Sequence, residues 1–364
     1  MSLVGGGSTG LKDRINQFRD RRAARIAARF DEEPDSWITV NGNHIPLNEE
    51  GEAIGGQQKA LGKTMSVEEA DKIVSKFGYS GEIHVLKSRE HDYASYIRDC
   101  ESELTDTEYY SEEERADIAK RMNDAKSELD GIQKEISQYN EAVNTKFPTY
   151  DDCKTSEDVA LKIGASGNLR GFAKAVYMED ADVQVARDIG NSLDDFCKKN
   201  PEAKGNIGNI IIDSDMPENS YGACDGWGTV RFNQRYMKNL NLLKRSYQED
   251  VDCKFAPEGT DYRHIFYHEL THQLEHNIID KGRDNGVRFS SVVMKKVSKN
   301  LGMTVEECQT AVSLYSKENS VKGKYAEWFA EAYAEYLTSE KPRKVAAEVG
   351  KVVGEELKKR GIRK

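Results

Sequence analysis

The 364-residue sequence predicts an α+β protein, in which a compact domain over residues 151–340 is preceded by a hairpin module and a long helical arm. Three observations lead there. Asn41-Gly42 divides the alternating segments of SWITVNGNHIPL, residues 36–47, a strong short-range signal for a hairpin. Residues 103–145 are dense in Glu, Lys, Asp and Ala, with no Pro and one Gly (Gly131), as a solvated helix or helical hairpin requires. After Pro148, two strand patterns lead into a run of helices, an α+β order.

Residues 1–65 hold a basic amphipathic helix, the hairpin and a linker. The helix spans 11–30, with Leu11, Ile15, Phe18, Ala23, Ile26 and Phe30 toward one side, and Gly51, Gly55, Gly56 and Gly62 mark the linker. Residues 66–150 form the arm. The capping box Ser66-x-x-Glu69 opens a helix to 77, and the 103–145 helix has a thin apolar stripe of Ile118, Met122, Leu129, Ile132, Ile136 and Tyr139. Residues 151–340 begin with an amphipathic helix at 180–199. Strands follow at 206–213 (NIGNIIID) and 229–237 (TVRFNQRYM), separated by the Gly-rich turn NSYGACDGWG. A histidine-rich helix occupies about 260–278, with three more near 288–300, 304–317 and 322–338. Residues 341–364 form a basic C-terminal helix or solvated tail.

Composition excludes several classes. No stretch reaches the roughly 20 apolar residues that cross a bilayer, so no membrane partner is expected. The N-terminus lacks the apolar core of a signal peptide. Six dispersed cysteines form no CxxC pair, which reads as free thiols in a reducing compartment. The net charge of −10 is uneven: residues 11–30 carry seven Lys/Arg against two Asp, and residues 341–364 carry nine against three Glu. These basic ends carry no recognition motif, so nucleic acid is not an expected partner. LKIGASGNLRG, residues 161–171, has glycines without the Lys-Ser/Thr of a phosphate-binding loop.

Four of the seven histidines, His264, His268, His272 and His276, recur every fourth residue in YRHIFYHELTHQLEH. Four-residue steps turn only about 40° around a helix, so these imidazoles share a face. Within the ladder, His268-Glu269-Leu270-Thr271-His272 is HExxH. Two imidazoles one turn apart converge on one Zn²⁺, and Glu269, about 100° around the helix, flanks the open position as a general base. His264 and His276 read as hydrogen-bonded packing histidines. A third ligand is required. KYAEWFAEAYAEYL, residues 324–337, places Glu327, Glu331 and Glu335 at i+4 steps among small alanines that permit close helix packing.

The two motifs together resemble the gluzincin metallopeptidases, in particular the group that contains the anthrax lethal factor catalytic domain and the Pro-Pro endopeptidases. Their second-glutamate helix has an EFFAEAF-like pattern, against EWFAEAY from Glu327 to Tyr333 here. The resemblance implies a zincin-like domain with one Zn²⁺ held by His268, His272 and Glu327. Glu331 would orient a ligand histidine, and Glu269 would be the catalytic base. It also implies an edge strand pairing with an extended peptide, placed at GTVRFNQ with Thr229, Val230 and Arg231 as substrate-binding residues. Seven residues before Glu327, where relatives have a tyrosine, this chain has Ser320. Tyr315 and Tyr325, with Tyr262, are substitute oxyanion donors.

Residues 34–63 resemble a short module of phage and prophage structural or head-morphogenesis proteins. Two functions follow as expectations. One is a zinc metalloendopeptidase acting on a peptide or protein substrate, cytoplasmic or virion-associated, with phage structural proteins as further partners. The alternative is a phage minor head protein whose zincin-like domain acts in assembly without turnover.

Overall fold

The computed structural model describes residues 37–40, 43–46, 65–77, 82–106, 109–170, 176–225, 228–280, 288–320 and 324–363. The basic helix and glycine linker expected at 11–30 and 51–62 lie outside them. The chain divides into two units, one of residues 1–63 and 92–135, the other of 64–91 and 136–364. The second unit therefore extends beyond 151–340 in both directions.

In the first unit, β1 (Trp37–Val40) pairs antiparallel with β2 (Asn43–Pro46), in a register that sets Val40 opposite Asn43. Helix α1 (Val67–Phe77) starts as expected: Ser66 Oγ accepts from the Glu69 amide while the Glu69 carboxylate accepts from Ser66. The arm is two helices, α2 (Glu82–Thr105) and α3 (Glu112–Lys146). A second capping box, Ser111 with Glu114, starts α3 anew and explains why the helix does not run through 103–145. Its buried positions Ile118, Ala125, Ile132, Ile136, Tyr139 and Val143 follow a near-heptad spacing, a narrow stripe that leaves most of the helix to water.

The second unit takes in α1, the start of α2 and the end of α3, followed by α4 (Ser156–Ala165), β3 (Val176–Tyr177), α5 (Val183–Lys199), β4 (Ile210–Asp213), β5 (Gly222–Cys224) and β6 (Val230–Asn233). The four strands form one mixed sheet in the order β3-β4-β6-β5, parallel except for β5. The short α6 (Gln234–Met237) and α7 (Leu240–Asp252) lead to α8 (His264–Gln273), a single π-type turn over Leu274–Ile279, and α9 (Phe289–Leu301). Then come α10 (Val305–Thr310), α11 (Leu314–Asn319), α12 (Ala326–Thr338) and α13 (Lys344–Lys359).

Helix α8 is buried along all ten residues, set between β5 and β6 on one side and α5 and α12 on others. Helix α12, with alanines 330, 332 and 334 all buried, packs on it, and fully buried Trp328 anchors α12 by donating Nε1–H to the Cys308 carbonyl at 3.2 Å. Helix α13 is packed rather than a solvated tail. Its valines 345, 349, 352 and 353 and Leu357 are buried. Gly350 of α13 lies so near Tyr336 of α12 that a Cβ would meet the ring at 2.4 Å. Periodicity in the tail is amphipathic, and burial of its apolar face outweighs the solvation of its basic one. Among the described residues no helix is long and apolar enough to cross a membrane.

Candidate metal centre

Helix α8 presents His268 and His272 on the face that α12 covers, and α12 brings Glu327 to them from the first turn of its own helix. The His268 and His272 Nε2 atoms are 3.1 Å apart, and Glu327 Oε2 lies 3.3 and 3.4 Å from them. Donors held about 2.0–2.1 Å from one tetrahedral ion are separated by about 3.3–3.4 Å, so this triangle matches a zinc site. Among the described residues these three are the group of His, Cys, Asp or Glu side chains able to hold a metal.

Two of the ligand candidates, His268 and Glu327, are themselves held. Burial acts to lower the His268 imidazole, but Glu327 and Glu331 outweigh it and hold it well above its ordinary value. Glu331 Oε1 accepts from His268 Nδ1 at 2.9 Å, so in the neutral ring that a metal requires the proton sits on Nδ1 and the lone pair on Nε2 faces the other donors. Burial acts to raise Glu327, and the two imidazoles bring it well below the carboxylate range.

Glu269 is buried in the wall beside this triangle. Its Oε2 has no hydrogen-bond partner among the described residues, and burial pushes its carboxyl up while His268 and His272 pull it back. Gly222 of β5 makes room for it: a Cβ there would lie 2.8 Å from Glu269 Oε1. Tyr315 donates its hydroxyl to Glu327 Oε2 at 3.1 Å and sets its ring 5.9 Å from that of His268. Burial, then Glu327, Glu331 and Glu269, push the phenol well above its ordinary value, so it keeps its proton as a donor.

Other expected positions fall elsewhere. Tyr262 gives its hydroxyl to Asp188. Tyr325 is the residue before α12, with no hydrogen bond to the triangle. Ser320 Oγ accepts from the Trp328 amide at 2.9 Å and so caps the helix that carries Glu327. The expected edge strand is corrected. Val230 and Arg231 belong to β6, flanked by β4 and β5, with Thr229 just before it, so their backbone is already paired. The strand at that edge is β5, three residues long within the segment read as a turn, and too short to show a period of two.

His264 is fully buried, with Nε2 3.1 Å from the Glu331 carbonyl, a packing histidine that burial pushes below its ordinary value. His276 is pushed down to about 4 by burial, His272 and Arg288. Glu335, third of the acidic ladder, is buried against Arg343, whose Nη2 donates to its Oε2 at 2.7 Å. Ser313 and Cys224 carried no sequence signal. Ser313 Oγ donates to Glu331 Oε2 at 2.9 Å. Burial, followed by the carboxylates of Glu269, Asp225 and Glu327, pushes the Cys224 thiol up.

Comparison of the chain with protein-family models, curated proteins and solved structures finds no match.

Proposed function

We propose that this chain is a zinc-dependent peptide hydrolase of gluzincin type, with one zinc per chain in a zincin-like second unit. The observation that carries the reading is the convergence of His268 Nε2, His272 Nε2 and Glu327 Oε2, all within 4.8 Å of one another, beside a buried carboxylate with an unpartnered oxygen. A zinc ion there supplies Lewis acidity toward a peptide carbonyl and a water molecule. Glu269 Oε2 takes the proton of the attacking water and returns it to the nitrogen of the departing amine. Tyr315 donates its hydroxyl to the oxygen of the carbonyl as negative charge develops there. An extended peptide adds to the outer edge of β5, its backbone pairing where β6 cannot.

A structural site would need the ligands and their braces but not Glu269, and a buried carboxylate oxygen left unpaired beside the triangle favours proton transfer as its use. The alternative of a non-catalytic phage head protein rests on the hairpin segment and the long helices α2 and α3. Association with a phage particle is compatible with both.

The test is zinc content per chain after purification without added metal, for wild type, His268→Ala and Glu327→Ala. One zinc in wild type, lost or weakened in each variant, supports the assignment. No zinc, or retention indifferent to Glu327, overturns it.

A further inference from the structure

The turn after helix α8 carries an imidazole, His276, beside the candidate ligand His272. The rings of His272 and His276 stack, with centroids 6.1 Å apart and planes 21° from parallel. Arg288, an exposed side chain immediately before α9, brings Nη1 to 3.2 Å from His276 Nδ1 and 3.4 Å from Nε2. Nη1 is the guanidinium nitrogen engaged with the ring. The contact therefore orients the guanidinium and leaves most of its donors for another acceptor.

Among the described residues no carboxylate is in ion-pair contact with Arg288. Arg231 faces Asp213 and Asp225, Arg235 faces Glu218, Arg263 faces Asp261 and Arg343 faces Glu335. Arg288 meets the imidazole instead. A guanidinium is built for bidentate recognition of a planar anion. This one is separated from the ligand His272 by a single stacked ring.

We propose that Arg288, oriented by His276, recognises a carboxylate of the bound peptide on the His272 side of the metal position. The peptide class is thereby one that presents an acidic side chain or a free C-terminus at that point. The inference rests on the peptidase reading above and extends it to substrate choice.

The experiment uses the zinc-loaded full chain and three succinyl hydroxamate probes, followed by titration calorimetry. One ends in leucine amide, one in aspartic acid amide and one in leucine with a free carboxylate. The expected result is that at least one acid binds about tenfold or more tighter than the neutral leucine amide, the ratio one charge-assisted hydrogen bond supplies. Arg288→Ala abolishes that preference without changing the affinity of the neutral probe, and Arg288→Lys keeps part of it. Which acid wins separates a side-chain carboxylate from a chain end. Equal binding of all three probes to wild type, or a preference that survives Arg288→Ala, overturns this inference alone. Failure of the neutral hydroxamate to bind the zinc-loaded chain overturns the peptidase reading and this inference with it.

Discussion

Ser313 donates its hydroxyl to Glu331 Oε2 at 2.9 Å, while the other oxygen of that carboxylate takes the Nδ1 proton of His268 at 2.9 Å. The relay runs from the cap of α11 through α12 to α8, and Ser313 also accepts from the Ser316 amide at 3.0 Å. It accounts for the break between α10 and α11, where periodicity predicts one helix over 304–317. The chain leaves the helix so that Ser313 can cap the next one and reach Glu331.

Removing this brace loosens a ligand without removing one. Ser313→Ala is expected to weaken zinc binding about tenfold, at the low end for groups that orient a metal ligand. Loss of the cap adds about 1 kcal/mol of destabilisation. Chelator competition reads the first effect and thermal unfolding the second. Unchanged zinc affinity would show that Glu331 orients His268 unaided.

Glu269→Gln separates binding from chemistry. The variant should retain zinc at wild-type stoichiometry, keep or raise its Tm because a buried ionisable group is gone, and lose peptide hydrolysis by about 10² or more. Measurable turnover near the wild-type rate would assign the proton transfer to another group.

Tyr315 is tested by removing only its oxygen. Tyr315→Phe keeps the edge contact with Phe255, where ring centroids are 5.4 Å apart, and should hold zinc content. Loss of an oxyanion donor predicts a fall in kcat of about 10²–10³ with little change in KM. A change in KM alone would make Tyr315 a binding residue.

Gly222→Ala intrudes on the base. The added Cβ would lie 2.8 Å from Glu269 Oε1 and 2.9 Å from its Cγ, so either Glu269 or β5 must move. Overpacking of this kind costs about 1–3 kcal/mol, and activity should fall more steeply than Tm. Full activity would show that Glu269 has room to reposition.

Acid stability has a contributor on α13. Burial acts to raise Glu356, and the Lys296 ammonium that donates to it outweighs burial and holds the carboxyl below its ordinary 4.5. A carboxyl lowered by folding stabilises fully above its unfolded value, and that stability disappears as pH falls through the folded value. Glu356→Gln should therefore lower Tm at neutral pH and flatten its decline below about pH 4.5. An unchanged slope would assign acid unfolding to other carboxylates.

The sequence by itself determined the ladder on α8, because four-residue spacing fixes a shared face whatever surrounds the helix. It also determined the first capping box, the hairpin register and the candidacy of Glu327 and Glu331, each a matter of local spacing. Tertiary structure decided what depends on neighbours distant in the chain. It made β5 rather than β6 the edge strand, because pairing partners lie outside any window that a two-residue period can reach. It set the Tyr315 hydroxyl on Glu327 and that of Tyr262 on Asp188, because a phenol bonds to whatever acceptor the packing brings near. It split the 304–317 helix at Ser313, docked the basic C-terminal helix, and set Arg288 against His276. The period of the tail is amphipathic, but where it docks, like the other two, follows from which surfaces bury one another.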